Sequence, residues 1–455
     1  MRILLIQAVS TVAGGELVFP LGLARLAAGC LEKHEVKGLD LNLHPFPWPE
    51  LVNTLLDFKP AVVGVSFRNL DPLGGNLISF VPQLKTLATL IKRYRPEATL
   101  ILGGSGFTLF ADRLLAEIPE VDLAVAGEAD CIWPRLLANL KNPAAVPGVW
   151  QRAVAAGPSS SGAILHCQDL DQLPWPAWQV FNPALYLERN RYVAFMGVET
   201  KRGCNNRCRY CLYPVLQGRR VRLRNPSRVV DEIAWLQQKY GINYFHFTDA
   251  VVNQPAEHLR AVCKEIAKRG LHIGWTGFFR EDCLTAADLE LYQQTGLMTL
   301  YFSGDGASDH ALQLLGKDLN RQQLLNAARL AAASGILTVY HFLVNLPGES
   351  ESSVAQVQDL LAALFAMHAP AANLGAVVLN NLRLYPHAPL TTNIIQQGLI
   401  DRRQDLLYPT YFNPPPWDHL RYELSSWCMC QGAFSWLDNK TLSDNIKDGY
   451  ADCIT

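Results

Sequence analysis

Three cysteines stand close together near the middle of the chain, in the segment "ETKRGCNNRCRYCLYP". Cys204, Cys208 and Cys211 form a C-x3-C-x2-C pattern, which predicts a loop that wraps a compact object. Thiolates are ligands of zinc and of iron–sulfur clusters. Structural zinc prefers four closed ligands, usually as two separated pairs, and no second pair lies nearby in the sequence. The pattern therefore favours a [4Fe–4S] cluster with one iron left open for another ligand.

The composition indicates a large globular protein. The chain has 455 residues, of which 49% are hydrophobic and 18% charged, so we expect two or three domains. A net charge of −1 gives no basis for binding nucleic acid or an anionic membrane. No apolar run approaches the roughly 20 residues that span a bilayer, and the chain start lacks the pattern of a signal peptide. We expect a cytoplasmic protein, in which eleven cysteines indicate metal or redox chemistry.

The first part of the chain alternates short apolar runs with helical patterns. Runs such as "RILLIQA", "AVVGVSF" and "TLILGGS" predict parallel strands, and the segments between them predict helices. This alternation indicates a doubly wound, Rossmann-like α/β domain over residues 1–150. Ligands of such sheets bind at the carboxyl ends of the strands. Four small residues fall at these strand ends: Ser66, Gly103, Gly104 and Gly127. Glycine allows close approach of a ligand, although each of these glycines could also serve only a turn.

A second strand–helix alternation follows a proline-broken linker over residues 151–193, in which "AAGPSSSG" predicts a turn or loop. Six strand-like runs separated by helical patterns predict a partial (β/α)6 barrel over residues 194–391. The remaining residues, 392–455, are rich in Trp, Tyr and Pro. We expect them to form a small cap over the substrate.

Several segments carry a family resemblance. The cysteine pattern, with Tyr210 before the last cysteine, resembles the signature of radical S-adenosylmethionine (SAM) enzymes, whose open iron is chelated by SAM. "YFSGDGASDHALQLLGK", "HFLVNLPGESESS" and "LRLYPHAPL" are similar to further segments of that family in the same order. The resemblance implies that Tyr210 stacks on adenine, unless it is only a packed loop aromatic.

The first domain resembles the cobalamin-binding domain that precedes the barrel in one class of radical SAM enzymes. "VVGVSF", "LILGGSGFT" and "VDLAVAGEAD" fall in the order of that domain, which adds Thr108 and Glu128 to the cofactor-binding candidates. Glu128 could alternatively cap a turn. The D-x-H-x-x-G motif is absent, because Asp40 and His44 have the wrong spacing. We therefore expect no histidine ligand on cobalt.

One segment resembles a particular branch of this class. "SFRNLDPL" is similar to a segment of the tryptophan 2-C-methyltransferase of thiostrepton biosynthesis, in which an arginine lies beneath the corrin. Arg68 is the matching position, and its role there would be to exclude an axial water. The alternative for Arg68 is a salt bridge to Asp71.

Three charged residues at strand ends of the barrel are candidates for holding SAM. Asp249 could accept the SAM amino group by a charge-assisted bond, or could cap the following helix. Asp305 could bind the ribose hydroxyls. Arg280 could pair with the SAM carboxylate, or could form a surface ion pair.

The resemblance implies a methyltransferase that moves a methyl group from SAM, via methylcobalamin, to an unactivated or weakly nucleophilic carbon of a small molecule. A flavodoxin or ferredoxin would supply electrons. Two alternatives stay open: rearrangement, cyclisation or ring contraction without methyl transfer, and a non-catalytic cobalamin or cluster sensor. The last part of the chain contains five aromatic residues: Tyr408, Tyr411, Trp417, Trp427 and Trp436. They suit a planar or apolar substrate, but they also suit an ordinary core. Cys428 and Cys430 are expected to act as small apolar residues rather than ligands.

Overall fold

Two parallel β-sheets organise the chain in a computed structural model, which describes residues 1–11, 17–72, 77–153, 157–160, 164–187 and 196–435. Each sheet corresponds to one of the two strand–helix alternations in the sequence. Within these ranges no helix combines the length and apolarity needed to cross a membrane.

The first sheet has seven strands in the order β2-β1-β3-β4-β5-β6-β7. The strands are β1 (Arg2–Gln7), β2 (Glu35–Asp40), β3 (Val62–Ser66), β4 (Thr99–Gly103), β5 (Leu123–Val125), β6 (Val149–Ala153) and β7 (Gly157–Ser160). The helices are α1 (Leu21–Ala28), α2 (Pro47–Phe58), α3 (Val81–Tyr94), α4 (Ser105–Leu109), α5 (Ala111–Glu117) and α6 (Trp133–Ala138). The first five strands are parallel, which confirms the predicted doubly wound domain.

Helices cover both faces of this sheet. Along β1, Ile3 and Leu5 pack into one apolar cluster with residues of α1 and α6, whereas Leu4 and Ile6 pack into another with residues of α2 and α3. Successive side chains of a strand point to opposite faces, so every second residue meets the opposite helix layer. A fully apolar strand is therefore what this sheet requires.

The predicted loop over residues 155–162 is wrong for Gly157–Ser160. These residues form β7, which pairs antiparallel with β6 and extends the sheet at its edge. The segment is rich in Gly, Pro and Ser, and proline is tolerated at a sheet edge because one side of an edge strand needs no hydrogen-bonding partner. The sequence pattern therefore gave no strand signal here.

The second sheet has six parallel strands in the order β15-β14-β13-β12-β11-β8, and within the described residues β15 does not pair with β8, which confirms the partial barrel. Its strands are β8 (Met196–Val198), β11 (Tyr244–Phe247), β12 (Gly274–Phe279), β13 (Leu297–Asp305), β14 (Leu337–Leu343) and β15 (Leu374–Asn380). Two short strands, β9 (Lys201–Arg202) and β10 (Arg222–Leu223), pair beside it. The short helix α7 (Ala184–Leu187) precedes β8. The helices of the barrel are α8 (Tyr213–Gln217), α9 (Pro226–Tyr240), α10 (Ala256–Lys268), α11 (Ala286–Gln294), α12 (Asp309–Leu315), α13 (Arg321–Ser334) and α14 (Glu351–His368).

The barrel strands have one helix-facing side and one inner side. Phe302 and Phe342 belong to the large apolar core that includes residues of α9, α10, α13 and α14. Tyr301, Val339 and Ala376 form a separate small cluster from alternate positions of β13, β14 and β15. By the two-residue period of strands, this second set lines the barrel lumen.

The last described residues pack against both domains. They contain α15 (Pro389–Gln396), the antiparallel pair β16 (Leu382–Arg383) and β17 (Tyr411–Phe412), and α16 (Leu420–Cys430). Arg383 Nε donates to Asp71 of the first domain at 2.9 Å. The backbone of Phe434 pairs with Ala376 at the open edge of β15.

The aromatic residues of this region do not form one substrate wall. Tyr408 packs against the core of the first domain, Tyr411 donates to Asp71, and Trp427 stacks edge-on against Phe365 of α14. Trp417 lies against the main core, as does Cys428, which is fully buried and free. Trp436 lies outside the described residues.

Candidate active site

The three cysteines lie in a turn-rich segment between β9 and α8. Gly203 precedes the first of them with φ of +89°, and a Cβ there would lie 2.2 Å from the carbonyl oxygen of Arg220. Only glycine fits this close approach. The backbone N–H of Cys204 donates to Gly218 at 3.1 Å, which joins the start of the loop to its end.

Burial and nearby charges make the cysteine segment fit for a metal centre. Burial raises the pKa of Cys211 to about 12 and also raises that of Cys208, while Lys317 acts on Cys208 in the opposite direction. A buried thiolate needs a positive partner, and bound iron would supply one. Among thiolate-binding centres, an iron–sulfur cluster suits this donor set.

Tyr210 and Asp305 come together beside the cysteines. The Tyr210 hydroxyl donates to Oδ2 of Asp305, and Lys317 Nζ donates to the same oxygen at 2.8 Å. Asp305 ends β13 with φ of +56°, a strained value for a residue with a side chain. The two predicted SAM contacts are thus joined directly, and the positive charge of Lys317 holds them.

The carboxylate of Asp249 is held by the residues just before the cysteine loop, and its bond to the SAM amino group stays a prediction. Its carboxylate accepts from Thr200 N at 2.9 Å, from Thr200 Oγ1 at 2.5 Å and from Lys201 Nζ at 3.1 Å, and the side chain is fully buried. The alternative role as a helix cap is wrong, because Pro255 occupies the cap of α10. Asp249 instead fixes the residues that lead into the cysteine loop.

Arg280 forms an ion pair, but not at the surface. Its Nε donates to Asp282 at 2.6 Å, and the residue is only 6% exposed. A further guanidinium nitrogen approaches Asn206 of the cysteine loop at 3.4 Å. The proposed surface pair is therefore wrong in its location, and Arg280 places positive charge against the loop.

A cavity of about 450 Å³ opens at the carboxyl ends of the strands in the first sheet. The predicted strand-end residues line it together, along with residues of the barrel: Ser66, Arg68, Gly103, Gly104, Thr108, Gly127, Glu128, Gly197, Glu199, Tyr213 and Thr248. Both domains thus contribute to one cavity. Its position is where ligands of doubly wound sheets bind.

Thr108 joins two of the glycines of this cavity. Its hydroxyl donates to Gly104 O at 2.9 Å and accepts from Gly127 N at 3.1 Å. Gly104 has φ of +102°, and a Cβ there would lie 2.6 Å from Phe67 O. The two glycines are therefore required by backbone geometry, and Thr108 holds them in a surface against which a flat ligand can approach.

Arg68 projects into this cavity. Its side chain is accessible to solvent-sized molecules, yet surrounding protein lowers the pKa of the guanidinium, with the nearby Tyr213 acting in the opposite direction. The alternative salt bridge to Asp71 is wrong, because Asp71 pairs with Arg383. Burial lowers the pKa of His246 in the barrel to about 4, with Asp249 acting in the opposite direction and the charge of Arg68 adding to the lowering. Arg68 thus faces both halves of the site.

Glu128 is the centre of a buried ionic cluster between the two domains. Its carboxylate accepts from Arg222 Nη2 at 2.6 Å, Arg222 Nη1 at 2.8 Å, Arg202 Nη1 at 3.1 Å and Cys167 N at 2.9 Å. Burial alone would raise the pKa of Glu128, but Arg222 and Arg202 outweigh it and hold the pKa below its usual range. Glu128 is therefore more than a turn cap.

The same cluster has the donor atoms of a metal site. Ligand atoms of Glu128, Asp130 and Cys167 lie within 4.8 Å of one another. The place of a cation is taken, however, because Arg202 Nη1 donates to Asp130 at 2.7 Å as well as to Glu128. We assign the cluster to domain contact rather than to metal binding.

Sequence reasoning missed several residues of this site. Lys317 stands in the segment "LLGK", whose lysine belongs to the matched pattern, and that position could have marked it. Arg202 and Arg222 pair with a residue 74 and 94 positions away, so no local pattern announces them. Tyr213 and His246 could not be predicted either, because they come near Arg68 only where the two domains meet.

Comparison with known proteins identifies both domains. The sequence profile of the B12 binding domain matches residues 7–137, and that of the Radical SAM superfamily matches residues 198–361. The chain therefore belongs to the cobalamin-dependent radical SAM enzymes, whose cofactors are a [4Fe–4S] cluster, SAM and cobalamin. Its relatives in this class include methyltransferases and an anaerobic magnesium-protoporphyrin IX monomethyl ester cyclase of Rubrivivax gelatinosus, which is 25% identical over 288 residues.

Individual relatives agree with this placement. The cytidylyl-2-hydroxyethylphosphonate methyltransferase of Streptomyces wedmorensis is 25% identical over 448 residues, covering 86% of this chain and 81% of its own. The tryptophan 2-C-methyltransferase of Streptomyces laurentii is 24% identical over 437 residues, covering 80% and 69%. The structure of the methyltransferase TsrM from Kitasatospora setae, with tryptophan and a SAM analogue bound, superposes with a TM-score of 0.74 at 21% identity, covering 87% and 76%. The last likeness concerns the fold.

Proposed function

We propose that this enzyme transfers a methyl group from SAM to a carbon of a small, planar molecule, with cobalamin in the cavity of the first domain. The observation that carries the proposal is the shared cavity. Arg68 and the strand-end glycines of one domain face Tyr213 and Thr248 of the other across it. When bound, cobalamin would supply the methyl-carrying chemistry, and the cluster would supply an electron-transfer and SAM-binding centre.

The cysteine loop would hold the cluster through Cys204, Cys208 and Cys211. Lys201 and Asp249 fix the entry to this loop, while Arg280 and Lys317 place positive charge beside it. We further propose that Asp305 and Tyr210 orient SAM next to the cluster, since their side chains are hydrogen-bonded to each other beside the cysteines. These two residues would position SAM and exclude water from it.

Arg68 would hold the lower side of the cobalamin without ligating it. A guanidinium keeps its charge at any working pH and has no lone pair to give a metal. Because Asp71 is already paired with Arg383 at 2.9 Å, the charge of Arg68 is not used by that neighbour. Its place inside the cavity supports a role against the cofactor.

The proposal includes a domain division and a set of partners. Residues 1–150 would bind cobalamin, 151–193 would link, 194–391 would bind the cluster and SAM, and 392–455 would cap the site. The tryptophan enzyme among the relatives supports an aromatic acceptor. A flavodoxin or ferredoxin would supply electrons, and we expect no nucleic-acid partner because the net charge is −1.

Anaerobic reconstitution tests the cluster assignment. The wild type should bind about four iron and four sulfide per chain, whereas replacement of Cys204, Cys208 and Cys211 by Ala should abolish both. Cys263→Ala is the control, because Cys263 lies in the apolar core of the same domain. Equal iron in the triple variant and the wild type would contradict the assignment.

The reaction itself is tested by the fate of SAM. Cobalamin-loaded enzyme with a reductant should form S-adenosylhomocysteine, which is the product of methyl donation. Formation of 5′-deoxyadenosine alone would favour rearrangement or cyclisation without methyl transfer. Absence of any SAM turnover would favour a binding protein.

A further inference from the structure

Two cysteines outside the cysteine loop lie together where the linker meets the first domain. Cys131 ends the short 3-10 turn Ala129–Cys131, and Cys167 lies in the linker just after the first sheet. Both are free thiols, and their side chains are hydrogen-bonded to each other. Neither belongs to the C-x3-C-x2-C pattern, and the proposed methyl transfer involves neither of them.

Backbone pairing holds the two segments side by side. Gly127 and Leu165 form a parallel bridge, and the N–H of Glu128 donates to Leu165 O at 3.3 Å. Two residues further along, Cys167 N donates to Oε2 of Glu128 at 2.9 Å. The turn after Glu128 brings Cys131 back, so that its Sγ donates to Glu128 O at 3.7 Å. Both cysteines are therefore tied to the same residue.

The two thiols differ in accessibility. Cys167 is only 5% exposed, whereas Cys131 is half-buried and packs at the edge of the main core. A reagent in solution therefore reaches Cys131 first, with Cys167 behind it. A two-step exchange between thiols and a disulfide requires this order, because one thiol must meet the reagent and a second must lie next to the first.

The hydrogen bond between the thiols also makes them differ in acidity. It lowers the pKa of Cys131 to about 7, although burial and the carboxylates of Asp130 and Glu128 act in the opposite direction. The same hydrogen bond and burial raise the pKa of Cys167, with Arg202 acting against them. The accessible sulfur is thus the one that carries thiolate at neutral pH, and the thiolate is the nucleophile in disulfide exchange.

We propose that Cys131 and Cys167 form a thiol–disulfide exchange site, whose co-substrate is a low-molecular-weight disulfide of the glutathione class. In the first step the Cys131 thiolate attacks one sulfur of the small disulfide, so that a mixed disulfide forms and one small thiolate leaves. In the second step the Cys167 sulfur attacks Cys131 Sγ, and the second small thiolate leaves. Two protein thiols are oxidised to one disulfide, one small disulfide is reduced to two thiols, and the two protons of the protein thiols end on the released thiols.

A disulfide at this place acts on the contact between the domains. Cys167 O accepts from Arg222 Nη1 of the barrel at 2.6 Å, and Cys167 N donates to Glu128 of the first domain. The backbone of Cys167 is therefore part of the ionic cluster that joins the two domains. A covalent bond from Cys131 to Cys167 fastens this backbone to the first domain.

Mass spectrometry tests the site in the anaerobically reconstituted enzyme. Trypsin leaves Cys131 as the one cysteine of peptide 114–135, and Cys167 as the one cysteine of peptide 153–189. After exposure to oxidised glutathione and alkylation of the remaining thiols, these two peptides should be joined by a disulfide. Absence of the joined pair, whether the two cysteines are alkylated or carry separate glutathione adducts, would overturn the inference.

The rate of reaction separates this site from general oxidation of thiols. Cys283 is the matched comparison, because it is also a partly exposed free cysteine, but burial raises its pKa to about 11. At pH 7 about half of Cys131 and about one in 10,000 of Cys283 is thiolate, and the weaker nucleophilicity of the less basic thiolate cancels part of that ratio. Cys131 should therefore react roughly 50-fold faster than Cys283. Equal rates at the two cysteines would contradict the assignment of Cys131 as the attacking thiol.

Two substitutions separate the steps. Cys167→Ser should stop the exchange after its first step, so that Cys131 accumulates as the mixed disulfide with glutathione. Cys131→Ser should leave Cys167 unmodified, because Cys167 is buried. Iron and cobalamin are measured in each preparation and should match the wild type, and the joined peptides of the wild type depend on neither variant. Rapid addition of glutathione to Cys167 in Cys131→Ser would overturn the proposed order of attack.

Discussion

The buried carboxylate of Glu128 offers the most direct test of how the two domains are held together. Glu128→Gln keeps the shape of the side chain but removes its charge. Arg222 would then keep the backbone carbonyl oxygens of Cys167 and Gln217, both at 2.6 Å, and at most one neutral amide oxygen in place of the two carboxylate oxygens. Arg202 would keep Asp130 and Glu199. The loss should therefore fall mainly on Arg222, whose guanidinium would be left buried without a carboxylate.

The size of the effect follows from burial. Glu128 is 7% exposed and Arg222 is 5% exposed, and removal of one partner from a buried ion pair costs about 3–5 kcal/mol. Urea unfolding of the apoprotein, followed by tryptophan fluorescence, should show the free energy of unfolding reduced by that amount. Adding Arg222→Gln should recover part of the loss, because the uncompensated charge is then gone. The matched control is Arg403→Gln, since Arg403 forms an exposed ion pair and should leave the transition unchanged.

The pH dependence provides a second check on the same residue. Glu128 has a folded-state pKa below its usual value of 4.5. Its contribution should therefore be complete above about pH 4.5 and should be lost as the pH falls through the folded-state pKa. The difference between wild type and Glu128→Gln should shrink accordingly in acid. An unchanged unfolding free energy at neutral pH, or a difference that grows in acid, would refute the ionic role of Glu128.

Two further predictions concern the cofactor regions. Gly203→Ala should prevent cluster incorporation, measured as bound iron, because its Cβ would meet Arg220 O at 2.2 Å. Gly335→Ala is the control, since Gly335 is also left-handed but has open space around it. Normal iron content in Gly203→Ala would contradict the loop geometry. Arg68→Ala should admit a water to cobalt, seen as a five-coordinate spectrum in electron paramagnetic resonance, and Arg68→Lys should be intermediate because an ammonium is compact and strongly hydrated. An unchanged spectrum in Arg68→Ala would remove Arg68 from the cofactor site.

The sequence predicts the two sheets because their strands are buried on both faces. The central residues of β1 and β3 are Ile, Leu, Val and Gly, with polar residues only at the strand ends, and helices must then cover both sides. The β6–β7 hairpin escapes prediction because β7 consists of Gly, Pro and Ser. Its strand character comes from pairing with β6 rather than from its own side chains.

The candidate site divides in the same way. Cys204, Cys208 and Cys211 can be proposed from spacing, since a metal centre restricts its ligands to a short loop. The partner of Asp71 could not be predicted, because Arg383 lies 312 residues away, whereas Arg68 lies three residues away and has the right charge. Proximity in sequence therefore pointed to Arg68 as the partner of Asp71, whereas the partner is Arg383.

The ionic cluster of Glu128 has a consequence for the distance between the cofactor sites. Glu128 follows Gly127, whose backbone lines the cavity of the first domain, and Arg202 stands two residues before Cys204. One set of hydrogen bonds therefore connects the cavity wall to the start of the cysteine loop through very few rotatable bonds. A methyl group can be passed only between groups held at a fixed separation, and a misplacement of about 1 Å can cost about 100-fold in rate. A buried ion pair contributes little net stability by itself, so its place here is better explained by the alignment of the two domains than by stability.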